Sequence, residues 1–339
     1  MPTFRIIPTR IYDAVHAEGV SSVCFFADGR RLMSQSHEWS DEEDDVVGRT
    51  VVWDLDGQVL ASRADVASTS SASLSPDGKC VAVSGFKDFT IHDTAELAVL
   101  HQLTVQGWGA FEVHFLQDGK RLAVAGRTKL QDTAPLVLFD CDRWAPVVLA
   151  DHAPPVNVLT SALGRWLACG SWHHFVQVWD LDRRELAAEW VANPGDKDDK
   201  NHAVKAVAFC AGGSRLVTSG ELLGTFAIWD SRSGRRVAQL EHPLVVDVLA
   251  PYPDDSFFLS EDAEGNIDLW DARTARIAAR AEIGPLKVPS VDVSTGKRKT
   301  RKLTEAPGAA CLAVSPDGRL IAAGTQGGLI YLYEITQGS

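Results

Sequence analysis

The chain has 339 residues, of which 45% are hydrophobic and 23% charged, and its formal net charge is −12 at pH 7. This composition is that of an ordinary globular protein, and the acidic balance argues against nucleic acid as the main partner, because phosphate binding depends on Lys and Arg. No apolar run is long enough for a signal peptide or a membrane helix. The six cysteines show no metal-binding spacing. These features predict a cytoplasmic protein that does not act at a membrane.

Residues 4–12 form an apolar segment. After it, the chain consists of seven units that resemble one another. In each unit, two apolar strands flank a tight turn, a third strand ends in an aromatic–acidic pair, and a short fourth strand comes last. The turns read PDG or QDG in residues 71–85, 112–126 and 311–325, where Asp tolerates turn geometry and Gly supplies a positive φ. We name the four predicted strands a, b, c and d in chain order.

The third strand of every unit ends in a ring followed by a carboxylate, and this pair is Trp-Asp in four of the seven units. A lone four-stranded sheet has two apolar faces to bury, whereas sheets packed radially bury each other's faces. The sequence therefore predicts an all-β fold, a seven-bladed β-propeller of four-stranded antiparallel blades. The pairs are Trp53-Asp54, His92-Asp93, Phe139-Asp140, Trp179-Asp180, Trp229-Asp230, Trp270-Asp271 and Tyr333-Glu334.

These pairs and turns resemble the repeats of the WD-repeat (WD40) family, and the resemblance covers nearly the whole chain, residues 1–339. It implies a single propeller that binds another protein or peptide, with no catalysis of its own and no cofactor. It also implies structural roles for the strand-c pairs and for a histidine ahead of strand a. The family's Asp before the strand-c Trp is replaced here by His173, Leu223 and Glu264 in units four to six. The matching histidines are His16, His152, His202 and His242.

The ring is expected to close through the N-terminus. Unit seven reaches its aromatic–acidic pair shortly before the sequence ends at Ser339, which leaves no room for a strand d. We expect residues 4–12 to pair with residues 328–335 and to supply the outer strand of the last blade, as is usual in the family. This pairing would hide two sheet edges that otherwise favour aggregation.

Four insertions lengthen the units, near residues 36–49, 127–135, 193–202 and 284–308. The first two lie between strands b and c, and the last two lie between strand d and the next strand a. Because successive turns of an antiparallel blade alternate between its ends, all four are predicted at one end of the propeller, which we call the b–c face. Long loops on a rigid scaffold commonly carry function. The b–c face is therefore the predicted working face.

Large and charged side chains are predicted on the b–c face, where aromatic anchors suit peptide binding. The alternative for each aromatic residue is packing against a neighbouring blade. The basic run of the largest insertion could face the acidic loop of the first insertion, or it could be a solvated loop. The candidates are Trp39, Asp41, Glu42, Glu43, Asp44, Asp45, Phe86, Trp108, Trp172, His173, Leu222, Lys297, Arg298, Lys299, Arg301 and Lys302.

Two other classes of function stay open. Carboxylates around a propeller channel could bind a metal in a propeller enzyme of the hydrolase type, although the sequence has none of the common hydrolase or phosphate-loop motifs. Residues 297–302 could instead bind nucleic acid through their cations or act as a nuclear address. The imidazoles beside Trp172 have no carboxylate or cysteine at ligand spacing, so no metal site is predicted there.

Overall fold

The fold is a ring of seven β-sheets. In the computed structural model of the chain, the described residues are 3–13, 16, 19–40, 45–66, 68–85, 88–105, 109–127, 133–153, 156–193, 202–254, 256–281, 286–292, 294–303 and 308–338. Six sheets have four strands each, in chain order from one edge to the other, and the seventh sheet has six strands. The predicted seven-bladed propeller is therefore confirmed.

Each of the first six blades contains one repeat unit, and its strands c end at the predicted aromatic–acidic pairs. Blade one consists of β2 (Val20–Phe25), β3 (Arg31–Ser40), β4 (Asp45–Asp54) and β5 (Val59–Val66). Blade two consists of β6 (Ser68–Leu74), β7 (Cys80–Gly85), β8 (Phe89–Asp93) and β9 (Val99–Leu103). Blade three consists of β10 (Gly109–Phe115), β11 (Arg121–Arg127), β12 (Ala134–Asp140) and β13 (Ala145–Ala153).

Blades four to six repeat the same arrangement. Blade four consists of β14 (Val156–Ala162), β15 (Trp166–Ser171), β16 (Phe175–Asp180) and β17 (Glu185–Val191). Blade five consists of β18 (Val204–Cys210), β19 (Arg215–Gly220), β20 (Ala227–Asp230) and β21 (Arg236–Gln239). Blade six consists of β22 (Val246–Pro251), β23 (Phe257–Asp262), β24 (Ile267–Asp271) and β25 (Arg276–Arg280).

The seventh blade closes the ring with strands from both ends of the chain. Strands β28 (Ala309–Val314), β29 (Leu320–Thr325) and β30 (Ile330–Gly338) supply positions a, b and c. Strand β1 (Thr3–Asp13) pairs antiparallel with β30, with Phe4 opposite Gln337 and Tyr12 opposite Ile330. The predicted closure by residues 4–12 is confirmed. The first strands of neighbouring blades contact each other around the ring, including β28 against β2.

The largest insertion is not the loop that the sequence suggested. Within residues 284–308, β26 (Leu286–Asp292) and β27 (Arg298–Leu303) form a hairpin, and β26 pairs in parallel with β1. The last blade therefore runs β27-β26-β1-β30-β29-β28. The insertion connects strand d of blade six to strand a of blade seven as predicted, but the expectation of a loop is wrong, because its basic run is the outermost strand of a blade.

The other insertions differ in how far the structure describes them. The insertion at residues 36–49 mostly lengthens the hairpin of blade one, in which Ser40 lies opposite Asp45. Most of the insertions at residues 127–135 and 193–202 falls outside the described residues. The described part of the chain contains no helix that is long and apolar enough to cross a membrane.

The hydrophobic core lies between blades, as radial packing requires. One cluster joins blades seven and one through Tyr12, Trp53 and Leu332, and the rings of Tyr12 and Trp53 meet edge to face with centroids 4.3 Å apart. A second cluster joins blades six and seven and includes Ile6, Ile11 and Val288. Strand β1 thus stabilises the fold on both of its faces.

Candidate functional site

The structure describes only part of the predicted set on the b–c face. Trp172, His173 and Leu222 are described with their side chains. Trp39 lies in β3 and Asp45 begins β4, but their side chains are outside the described part. The remaining predicted residues of this face, apart from the basic run, lie outside the described residues; they are Asp41, Glu42, Glu43, Asp44, Phe86 and Trp108.

The b–c turn of blade four presents an aromatic and an imidazole ring. Ser171 at the end of β15 holds the turn, because its Oγ accepts hydrogen bonds from the backbone N–H of His173 at 3.1 Å and of Phe175 at 3.0 Å. The ring of Trp172 is partly exposed, and its centroid lies 6.4 Å from that of Phe111 in blade three. Trp172 therefore packs on a neighbouring blade and also reaches the surface.

The b–c turn of blade five carries two exposed leucines. Leu222 is 43% exposed and Leu223 is 64% exposed. Thr225 fixes the turn, since its Oγ1 accepts a hydrogen bond from the N–H of Gly220 at 3.0 Å and donates one to the carbonyl of Leu222 at 2.6 Å. This turn is an apolar tip on a rigid base. It borders a cleft of about 540 Å³ lined by Gly224, Gln239, Leu240, Glu241, His242 and Pro243.

A second cleft, of about 440 Å³, lies between blades five, six and seven and is charged. Lys205 and Asp247 on its wall form an ion pair, with Nζ 2.6 Å from Oδ1. Glu261 is almost completely buried, and its Oε1 accepts the N–H of Ala309 at 2.8 Å. Burial raises the pKa of the Glu261 carboxyl to about 8. This cleft therefore combines a cation, an anion and a carboxyl that is largely protonated near neutral pH.

The residues of the charged cleft were not predicted from the sequence, although they occupy a repeated position. The pairing of strands a and b has a β-bulge near the start of each first strand. A bulge leaves one residue without a direct partner and redirects its side chain. Lys205 and Asp247 are the extra residues in blades five and six, and Phe111 is the extra residue in blade three. Their shared place in the repeat is a signal that the sequence does contain.

The histidine and tryptophan of blade one meet at one hydroxyl. The Oγ of Ser34 lies 2.8 Å from His16 Nε2 and accepts a hydrogen bond from Trp53 Nε1 at 3.2 Å. Burial lowers the pKa of His16 to about 3, so its ring is neutral in the folded protein. The indoles of Trp229 and Trp270 likewise donate to Thr218 and Ser260, each at 2.8 Å. Blade four differs, because the buried Nε1 of Trp179 has no hydrogen-bond partner among the described residues.

The other predicted histidines have different surroundings. His242 Nε2 lies 3.3 Å from Asp268 Oδ2, and the guanidinium of Arg280 forms two hydrogen bonds to the same carboxylate, each 2.7 Å long. The ring of His202 is buried and lies 5.1 Å from that of His174, between centroids. The side chain of His152 is outside the described part. The described side chains contain no group of three His, Cys, Asp or Glu residues that could hold a metal ion.

The carboxylates of the Trp-Asp pairs close the turns that follow them. Each accepts a hydrogen bond from a backbone N–H two or three residues further on, which fixes the start of the c–d turn. The acceptors are Asp54 (from Asp56, 2.9 Å), Asp180 (from Asp182, 3.2 Å), Asp230 (from Ser233, 2.9 Å) and Asp271 (from Arg273, 2.8 Å).

The basic run lies on the outermost strand of blade seven and lines neither of the two clefts. Lys299 and Arg301 of β27 form ion pairs with Asp13 at the end of β1, with Lys299 Nζ 2.6 Å from the carboxylate. Lys297, Arg298 and Lys302 are exposed. The anionic partner found for the run is therefore Asp13. The idea that the run faces residues 41–45 stays a prediction, because the side chains of those residues are not described.

These features define a seven-bladed β-propeller whose b–c face combines an apolar tip with a charged cleft. The family model of the WD domain, G-beta repeat, matches residues 147–180 and 299–334. Together, the two matches and the seven-bladed ring support a WD40 propeller. WD40 propellers are typically non-catalytic and generally bind other proteins.

Proposed function

We propose that this propeller is a non-catalytic interaction scaffold that binds a partner protein or peptide at its b–c face. The observation that carries this proposal is the exposed leucine pair, Leu222 and Leu223, on a turn fixed by Thr225. Exposed apolar groups on a rigid base lose little conformational entropy on binding. Covering the two leucines would contribute roughly 2 kcal/mol, since full burial of one such side chain is worth about 1.5–3 kcal/mol.

The second cleft supports recognition of a peptide with both apolar and polar groups. Lys205 and Asp247 present one charge of each sign near the buried carboxyl of Glu261. Polar groups placed beside an apolar anchor fix the orientation of a ligand more than they add affinity. We therefore expect an apolar side chain of the partner at the tip and a charged or amide group in the cleft. Trp39, Trp172, His173 and residues 41–45 belong to the proposed face as further contacts.

Three versions of the full chain test this function by affinity capture from the native host. The first is the natural chain, and the second carries Leu222→Asp and Leu223→Asp. The third carries Leu163→Asp as a matched control, because Leu163 is 66% exposed in an a–b turn at the other end of the propeller. Leu163 also has a positive φ of 53°, which Asp tolerates.

We expect a set of proteins that the natural chain and the control retain and the double variant loses. Direct binding of one purified member should weaken by about tenfold or more in the double variant, consistent with roughly 2 kcal/mol of lost burial. Equal retention by all three chains would refute the assignment to this face. A variant shortened at residues 290–306 would be a poor test of whether the largest insertion binds the partner, because the change removes the buried Ser290 and Val291 of β26.

We also propose a cytoplasmic location. The six cysteines are free thiols, and none lies in a disulfide. Such thiols persist in a reducing compartment. Microscopy of a fluorescent fusion in the native host tests this, and a signal confined to the nucleus would instead support the reading of residues 297–302 as a nuclear address.

A further inference from the structure

Strand β27 is a free sheet edge on a hairpin that the fold does not need for closure. Strands β28, β29, β30 and β1 already complete a four-stranded blade like the other six. Strand β26 adds to β1 through the pairs Ile11–Ser290, Tyr12–Val291 and Asp13–Asp292, and it buries Val288 and Val291. Strand β27 pairs with β26 on one side, and no strand among the described residues pairs with its other side.

The cations of β27 divide between the two faces of the sheet, because side chains alternate along a strand. Lys299 and Arg301 share one face with Asp13, which neutralises part of their charge. Arg298 and Lys302 lie on the opposite face, where Lys302 stands directly across from Lys287. No carboxylate of the described residues forms an ion pair with these three cations.

This second face is unfavourable for the isolated protein. Like charges directly opposite each other on neighbouring strands are destabilising, and Lys287 and Lys302 are such a pair. A chain with a net charge of −12 has many carboxylates, yet none of the described ones forms an ion pair with Lys287, Arg298 or Lys302. The cluster therefore suits an anionic group from another molecule.

Protection against aggregation does not explain the four cations of β27. Proteins do place Lys on exposed edges to prevent pairing with other chains. However, the outer strands of the other six blades carry at most two Lys or Arg residues each, and three of them, β9, β13 and β17, carry none. Four of the six residues of β27 are Lys or Arg. The charge is specific to this edge.

We propose that β27 binds an acidic segment of a partner protein in an extended conformation, as an added strand. Strand addition uses the free backbone groups of the edge for affinity and the alternating side chains for specificity. Because Lys299 and Arg301 already contact Asp13, the partner's carboxylates lie on the other face, against Arg298, Lys302 and Lys287. The segment thus has Asp or Glu at alternate positions. This surface is distinct from the b–c face and does not depend on it.

The test uses the full chain and a labelled nonapeptide, capped at both ends, in which Glu and Thr alternate. Two further peptides are a block version with the same composition and an alternating version with Pro at the centre, which cannot donate a backbone hydrogen bond. Binding is measured by fluorescence anisotropy at about 150 mM salt, where long-range attraction is screened. Hydrogen exchange reports the backbone amides of residues 298–303.

The protein variants are matched in charge. One carries Arg298→Glu and Lys302→Glu, and the control carries Lys120→Glu and Arg276→Glu, two exposed cations elsewhere. Each double substitution changes the net charge equally. The first variant should keep its fold, because glutamate at position 302 lies opposite Lys287 and removes a repulsion. A circular dichroism melt verifies this, and Arg298→Gln with Lys302→Gln serves as a milder second variant.

We expect the alternating peptide to bind the natural chain and the control alike, and to protect amides in residues 298–303. Reversing Arg298 and Lys302 should weaken binding by about tenfold or more, and the central Pro should cost about as much. Equal binding of all three peptides, or equal competition by duplex DNA or anionic vesicles, would show general attraction of polyanions and overturn the proposal. No binding of the alternating peptide would show that the cations only guard the edge.

Discussion

The Trp179 indole is the clearest place to test how the blades are held together. In blades one, five and six, the indole of strand c donates to a hydroxyl on strand b, at 3.2, 2.8 and 2.8 Å. In blade four, Leu167 lies opposite Trp179, and the residue two places further on is Cys169. The same register places Ser260 two residues after the partner of Trp270. Cys169 therefore occupies the position of the missing hydroxyl.

We expect Cys169→Ser to raise the free energy of unfolding by about 1 kcal/mol, because a typical net hydrogen bond contributes about that much and an unsatisfied buried N–H costs about 1–3 kcal/mol. The hydroxyl's own desolvation offsets part of the larger figure. Cys169→Ala is the matched control, since alanine has nearly the volume of serine without an acceptor. The reciprocal change, Ser260→Cys, should lower the free energy by about 1 kcal/mol for the same reason.

Urea unfolding followed by circular dichroism measures these differences, with midpoints compared directly if the transition has more than two states. The expected order of stability is Cys169→Ser above the natural chain, with Cys169→Ala below it. A Cys169→Ser variant no more stable than Cys169→Ala, or an absence of any effect of Ser260→Cys, would show that the indole does not need this acceptor.

Three further predictions concern the closure, a buried carboxyl and a close contact between blades. Deleting residues 1–12 should abolish cooperative folding or lower the thermal midpoint by several degrees. The deletion removes three or more buried apolar side chains, each worth about 1.5–3 kcal/mol. An unchanged melting curve would contradict the closure. The raised pKa of Glu261 means that its folded form keeps a proton from about pH 4.5 to about pH 8, so stability should fall as pH rises through this window. Glu261→Gln should make the free energy of unfolding less dependent on pH, and at pH 8 this free energy should exceed that of the natural chain by more than about 1 kcal/mol. Urea unfolding curves of both chains at pH 5 and pH 8 measure the difference. Gly220→Ala should lower the free energy of unfolding by about 1–3 kcal/mol, because the added Cβ would lie 2.1 Å from Asn193 Nδ2. Gly327→Ala is the control and should be neutral, because no atom would lie nearer than 3.9 Å to its Cβ. Thermal melting curves of both variants measure the difference.

The fold was predictable because each blade carries its own local signals. The strand-c pair and the turn after strand a recur with nearly constant spacing, and the number of pairs gives the number of blades. The closing strand was predictable from the resemblance to the WD-repeat family, because unit seven has no strand d and residues 4–12 are an apolar segment outside the units. The parallel pairing of β26 with β1 had no such signal, because it joins segments far apart in the chain. A strand with four cations also lacks the apolar residues that mark a strand in sequence.

The candidate site was predictable in outline and not in its contacts. The b–c turns gave Trp172, His173 and Leu222, because chain order alone places those turns together. The ion pair of Lys205 with Asp247 depends on two bulges in neighbouring blades, and the direction of a bulged side chain is set by register and not by composition. The buried Glu261 stands where the other blades have small or neutral residues, such as Gly170, Ser219 and Gly324.

The position of β27 follows from the burial of the fourth position of blade seven, which β1 occupies and β27 does not. The match to residues 147–180 begins in β13, the outer strand of the preceding blade, and the match to residues 299–334 begins in β27 at the corresponding point. Strand β25 already fills the outer position of blade six, so β27 and β1 both remain for blade seven. The fourth position of that blade is buried on both faces by Ile6, Ile11 and Tyr12 of β1. Four cations could not occupy it without a large desolvation cost. The charge that excludes β27 from the core leaves it at the edge, where an acidic strand can reach it.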